Sequence, residues 1–174
     1  MNIVDIFLNS LLLIIKLDKD LWEIISLSLY VSFIALIIGS ILGIIFGYFL
    51  ALKSFFLKNI ILVLINALMG IPPVVVGLIV YFLFARDGPF GVFELLFTPS
   101  AMIVAQSIII FPIVASLSHE IFFQNWKIYK DQIRSLNIPY IGIIKILFSH
   151  SYFLIITALL TSFGRAISEV GAVM

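Results

Sequence analysis

Cysteine is absent from this 174-residue chain, which excludes disulfides and thiolate metal sites. Charge is scarce as well: 11% of residues are Asp, Glu, Lys or Arg, and 63% are hydrophobic. A soluble domain carries about 25% charged residues, so the composition reads as an integral membrane protein. No G-x4-G-K-[ST] phosphate loop occurs, so any nucleotide hydrolysis must take place in another polypeptide. The two histidines, His119 and His150, fall at span edges without ligand-type neighbours, so no metal and no cofactor is expected. Nothing in the pattern suggests a nucleic-acid partner. No Ser/His or paired-Asp arrangement sits within the apolar stretches, which argues against an intramembrane enzyme.

What is present is long apolar sequence. Four stretches, 22–52, 59–85, 95–118 and 143–168, are long enough to cross about 30 Å of hydrocarbon as helices. They are too long, and too little alternating, for membrane strands. The expected fold is an all-α integral membrane bundle forming one domain over 1–174. Near the N-terminus, Asn2, Asp5, Asn9 and Lys16 share one sector while Ile3, Phe7, Leu11 and Ile14 fill the rest. That pattern predicts an amphipathic helix over 1–20 lying on the membrane surface. Lys53, Lys58, Lys127, Lys130, Arg134 and Lys145 fall on one side of the membrane, and Lys16, Lys19 and Arg86 on the other. The excess places the first and third links in the cytoplasm.

Several features interrupt the apolar pattern. Gly39-x3-Gly43-x3-Gly47 clears one face of the first span for close approach by another helix. Pro72-Pro73, near the middle of the second span, deletes backbone donors where lipid offers no replacement. These prolines, with Gly77 beyond them, point to a pathway lining, with a simple kink as the alternative. Asn66 and Gln106 read as interhelical hydrogen-bonding groups. Arg86-Asp87-Gly88-Pro89-Phe90-Gly91 is turn chemistry between spans. In the fourth span, Thr157, Thr161, Gly164 and Ser168 form a polar stripe bordered by Arg165 and Glu169. Each charged group costs about 2.5–3.5 kcal/mol at mid-bilayer. The stripe is therefore expected to face the bundle interior, with Arg165, Glu169 and the following Gly171 bracing or gating it.

Between the third and fourth spans lies a connector over about 120–142, too polar for the bilayer and too short for a domain. Its residues 129–136 fit a short helix, with Asn137 suited to the left-handed conformation that ends one and Pro139 following as a stop. Asp131-Gln132-Ile133-Arg134-Ser135-Leu136-Asn137 resembles the cytoplasmic Glu-Ala-Ala-x3-Gly loop of ABC importer permeases. Asp131 takes the acid position, Gln132 and Ile133 the paired alanines, and Asn137 the glycine. At a suitable distance beyond it, Gly164-Arg165-Ala166-Ile167-Ser168-Glu169-Val170-Gly171-Ala172 is similar to a run in molybdate- and tungstate-type permeases. Ile71-Pro72-Pro73-Val74-Val75-Val76-Gly77-Leu78, then Gly88-Pro89-Phe90-Gly91 and Leu96-Phe97-Thr98-Pro99, resemble the tungstate branch.

The resemblance implies a bundle of the type-I ABC importer permease kind, multi-pass in the cell (inner) membrane and working as a homodimer. It implies a docking segment built from Asp131, Gln132, Ile133, Arg134, Leu136, Asn137, Pro139 and Tyr140 that engages a cytoplasmic ABC ATPase subunit. It also implies an extracytoplasmic oxyanion-binding protein as donor, with alternating access driven by ATP. Pro72, Pro73, Gly77, Gly164, Arg165, Ser168, Glu169 and Gly171 are then the pathway or gate candidates. Members of that family continue through a further span beyond the point matching Met174, so the chain is expected to be a fragment or incomplete. The competing readings are a permease of the same architecture for sulfate, phosphate or an organic solute, and a non-transporting membrane scaffold.

Overall fold

The computed structural model describes residues 19–173, with side chains for 19 and 21–168. Every regular element among the described residues is helical: α1 Lys19–Leu52, α2 Lys58–Leu68, α3 Pro73–Phe84, α4 Pro99–Ser135 and α5 Tyr140–Val173. A 3-10 turn at Gly91–Phe93 lies in the loop between α3 and α4. The interfacial helix expected over 1–20 falls outside the described residues except at Lys19 and Asp20, which already belong to α1.

The glycine stripe of α1 packs on α4. A Cβ at Gly39 would lie 2.8 Å from Ile110 Cγ2, and one at Gly43 would lie 2.8 Å from Val114 Cβ. At Gly47 the neighbours are backbone: Ala115 O at 2.7 Å and His119 N at 2.8 Å. Helices in lipid gain little from hydrophobic burial against one another, so removing side chains to bring backbones together is the available route to tight association. Ala35, Ser40 and Tyr48 extend the same buried face.

These pairings also give direction. Ascending from Gly39 to Gly47 in α1 matches ascending from Ile110 to His119 in α4, so the two helices run parallel. Tyr48 meets Phe122 edge-on at 5.4 Å, while α4 begins at Pro99, about 35 Å away at 1.5 Å per residue. The chain between α1 and α4 must cover that distance to return, and α2 and α3 are the helices that do so. Ile65 of α2 packs with Leu50 and Ala115, and Asn66 Oδ1 accepts a 2.6 Å hydrogen bond from Ser116 Oγ. Farther along, Val76 and Val80 of α3 pack with Ala101, Ala105 and Ile109. Taken together the pair is one broken span, giving four crossings with α1, α4 and α5.

The break is larger than a kink: α2 and α3 meet at 101°. Pro72 and Pro73 supply no N–H groups, and Pro72 instead caps α3, its carbonyl accepting from Val75 N at 2.9 Å.

The short separate helix expected over 129–136 is instead the end of α4, which runs unbroken for 37 residues through most of the connector. No glycine or proline lies between Ile113 and Leu136, and Phe122 and Ile133 are buried, so the helix has no reason to stop at the membrane surface. At 1.5 Å per residue α4 is about 55 Å long and overshoots the hydrocarbon by roughly 25 Å. α5 returns antiparallel to it, tied by Asn125 Nδ2 donating to Ser151 Oγ at 2.6 Å and by Phe122, Leu147 and Ile155. The result is a helical hairpin projecting from the positively charged end of the bundle.

Replacing Gly47 with Leu drives a side chain into backbone atoms of α4 and should destabilise the bundle by about 1–3 kcal/mol. Gly70→Ala, where a Cβ meets only Ala67 O at 3.5 Å, should be tolerated. Thermal melting of the two variants in detergent checks the contrast.

Candidate functional site: an exposed hairpin tip and an outward polar stripe

The tip of the hairpin is built by a specific helix stop. α4 ends at Ser135, and Asn137 follows in the left-handed conformation with φ 48°. Asn137 N donates to Arg134 O at 3.2 Å and Ile138 N donates to Ile133 O at 3.2 Å, the paired bonds of a Schellman stop. Asn137 takes the position glycine fills in the resembling motif, because both tolerate positive φ. Ser135 Oγ donates to Asp131 O at 2.8 Å, tightening the last turn. Pro139 starts α5 rather than terminating α4: its carbonyl accepts from Ile143 N at 3.1 Å.

The docking candidates therefore straddle one turn. Asp131, Gln132, Arg134, Leu136, Asn137, Pro139 and Tyr140 are exposed, and Ile133 alone is buried, at the root of the stop. Leu136 is 72% exposed and Ile141 80%. Ile141 belongs with the tip, although sequence spacing did not single it out. An apolar end ringed by Asp131, Arg134 and Gln132 has the composition of a protein-binding knob.

The gate candidates do not gather in one cavity. Pro72 is exposed at the α2–α3 break and Pro73 opens α3. A cleft of about 440 Å³ lies against that break, lined by Ile38, Leu42, Met69, Ile71 and Pro112 among others. Its sole polar side chain, Ser107, donates its hydroxyl to Ile103 O at 2.7 Å. Gly77 lines a separate cleft of about 330 Å³ between α3 and the start of α4. Neither cleft contains a charged side chain, so neither is built to hold an anion.

The polar stripe of α5 is turned the other way from the expectation. Leu147, Ser151, Ile155, Ala158, Ser162 and Ala166 form the buried face, whereas Thr157, Thr161, Gly164 and Ser168 are exposed. A Cβ at Gly164 would touch nothing within 4 Å. The physical reason is packing: small Ser and Ala side chains let α5 lie close on α4 and α1, and Ala166 sits with Ala35 and Ile110. Gln106 Nε2 donates to Ala166 O at 3.4 Å, a helix-to-helix contact of the kind expected for Gln106, as is the Asn66–Ser116 bond. Thr157 and Thr161 donate to the carbonyls of Phe153 and Thr157 at 3.0 and 2.9 Å, and Ser168 to Arg165 O at 2.8 Å. Arg165 is half-buried beside this stripe. Glu169 and Gly171 lie in α5, but their side-chain surroundings fall outside the described residues.

The chain is thus a multi-pass all-helical membrane bundle with a polar face turned outward and an exposed tip at its positive end. Over residues 39–173 the chain matches the family described as binding-protein-dependent transport system inner membrane component, and it belongs to that family of ABC permeases with the type-I fold. It is 37% identical over 152 residues to a probable anion ABC transporter permease protein of Haloferax volcanii, covering 87% of this chain and 66% of the relative. It is 33% identical over 168 residues to the tungstate uptake system permease protein TupB of Peptoclostridium acidaminophilum, covering 97% of this chain and 74% of the relative. The TupB protein of Campylobacter jejuni is 30% identical over 172 residues, or 99% and 72% of the two chains. The chain thus spans about two thirds to three quarters of the length of these relatives.

Asn137→Gly should leave the tip intact. Asn137→Val, forced to positive φ, should cost about 1–2 kcal/mol locally. Limited proteolysis at the hairpin tip should show faster cleavage in the Val variant alone.

Proposed function

We propose that this chain is the membrane-spanning subunit of an ATP-driven importer for an oxyanion, tungstate first and molybdate next. The observation that carries the reading is the hairpin tip, where Leu136 and Ile141 are exposed at the end of the bundle rich in Lys and Arg and Tyr140 rests beside Tyr48 of α1. An apolar knob held in water is costly unless a partner covers it. A cytoplasmic ABC ATPase subunit, which this chain needs because it carries no phosphate loop, is that partner. Asp131, Gln132, Arg134, Asn137 and Pro139 frame the contact, and Ile133 anchors it from below.

Force applied to the tip is transmitted because α4 and α5 are each continuous from the knob into the bilayer. Movement of the ATPase subunits therefore tilts the hairpin as a lever, and access alternates between the two sides. The anion route runs along the outward stripe of α5, between this chain and a second copy. Polar groups facing lipid are unfavourable, and both intrachain clefts are apolar. Gly164 leaves room along that route, Thr157, Thr161 and Ser168 offer hydroxyls, and Arg165 offers a cation, with Glu169 and Gly171 at its end. The break at Pro72, Pro73 and Gly77 gives α2 and α3 a joint at which the halves pivot. An extracytoplasmic binding protein delivers the oxyanion and sets most of the selectivity. The named relatives, two for tungstate uptake and one for an anion, support that substrate class.

Leu136→Asp or Ile141→Asp should leave the chain inserted but weaken ATPase capture at least about 30-fold, as expected for an interfacial hot spot of roughly 2 kcal/mol. Pull-down of the ATPase subunit and tungstate uptake by cells, with molybdate and sulfate as competitors, read this out. Undiminished capture by both variants would remove the coupling role, and competition by sulfate alone would reassign the substrate. Glu169→Ala and Arg165→Gln should reduce uptake while the melting temperature stays near that of the unaltered protein; unchanged uptake returns both to structural bracing.

A further inference from the structure

At the same end of the bundle, where α1 finishes and α2 begins, two lysines from different elements converge on one ring. Lys58 Nζ lies 5.0 Å from the Phe123 ring centroid and Lys127 Nζ lies 4.5 Å from it. Two ammonium groups held on one aromatic are within about 10 Å of each other, close to the screening length of physiological salt, so they repel. No carboxylate pairs with either one among the described residues. Of the two acids on α4, Glu120 accepts a 2.6 Å hydrogen bond from Gln124 Nε2, and Asp131, one turn beyond Lys127, is exposed and forms no ion pair with it. Beside the lysines, His119 stacks on Phe123 with ring centroids 5.5 Å apart. His119 is 8% exposed, and its Nε2 has no hydrogen-bond partner among the described residues. The positive charge concentrated at this corner is thus left without a compensating anion among the described residues.

We propose that Lys58 and Lys127, over Phe123, clamp the phosphate of an anionic phospholipid headgroup. The level is suitable: Phe122, the neighbouring residue, meets Tyr48 in the last turns of α1, at the edge of the apolar span. The residues leading into Lys58 select a lipid over an acidic peptide. Phe55 and Leu57 are exposed, and Phe56 is 97% exposed. A peptide carboxylate would satisfy the ammonium groups and leave Phe56 in water. A phospholipid satisfies both, with phosphate on the lysines and acyl chain against the aromatic wedge. Such a clamp fixes the short α1–α2 link to the headgroup layer beside the root of the α4–α5 hairpin. It holds whichever solute the bundle carries.

The test is native mass spectrometry of the full permease chain, in its natural assembly, given equal phosphatidylglycerol and phosphatidylcholine. The unaltered protein should retain phosphatidylglycerol over phosphatidylcholine by roughly 25-fold, about fivefold per lysine. Lys58→Gln with Lys127→Gln should bring the ratio near one, and Lys58→Arg with Lys127→Arg should restore it. Lys130→Gln with Lys145→Gln removes the same charge elsewhere and should leave the ratio unchanged. Equal retention of both lipids by the unaltered protein, or an equal loss in the charge-matched control, overturns the clamp. Loss of the preference in millimolar inorganic phosphate would assign the site to free phosphate instead of lipid. A preference that appears only after the ATPase subunit is stripped away would assign it to a protein interface. Either result overturns the lipid assignment.

Discussion

The close approach of α1 to α4 through Gly39, Gly43 and Gly47 is the constraint on which the other helices depend. Lipid tails are as apolar as leucine, so apolar surface alone gives two membrane helices no reason to prefer each other over solvent. Removing three side chains at four-residue spacing lets backbone atoms meet, and dispersion then acts along the whole seam. Once α1 and α4 lie parallel in that seam, the connecting chain has to recross the bilayer. The 101° break at Pro72 and Pro73 is tolerated because α2 leans on α1 and α4 while α3 leans on α4 and α5. α5 is then left to pack on the remaining groove with its small residues.

That arrangement explains how a chain with so few charges can still present polar chemistry. The seam consumes the small residues of α1, and the groove consumes Ser151, Ala158, Ser162 and Ala166 of α5. What remains for the outer face of α5 is the threonine-glycine-serine stripe. At the other extreme of the molecule, continuous helices carry the bundle's rigidity past the membrane surface to the Asn137 turn. The polar stripe and the exposed knob thus lie toward the two ends of α5. Both sit on α5 or at its root, so one helix joins them mechanically.

Much of this was legible from residue order. The all-helical class, the glycine face, the left-handed stop at Asn137 and the hydrogen-bonding roles of Asn66 and Gln106 all follow from local chemistry. Other features were misread for identifiable reasons. The polar connector over about 120–142 was expected to hold only a short separate helix at 129–136 because its composition leaves the membrane, yet nothing before Leu136 breaks a helix and Phe122 and Ile133 are buried. The α5 stripe was expected to point inward because polarity in a membrane helix seeks protein. Two faces of α5 carry hydroxyls, however, and the one that combines Leu147 and Ile155 with Ser151, Ala158, Ser162 and Ala166 made the intrachain contact. The convergence of Lys58 and Lys127 on Phe123 joins residues far apart in sequence, and no periodicity announces it.

By itself, residue order determined that this protein lives in the bilayer, that its apolar segments are helical, and which family it resembles. Those properties are local: transfer of each segment from water, and the dihedral preferences of Gly, Pro and Asn. Only the tertiary structure decided which helix fills the glycine seam, that α1 and α4 run parallel, and which side of α5 is left for a partner. Those outcomes depend on shape matching between apolar surfaces that hydropathy scores alike, and lipid does not discriminate among them.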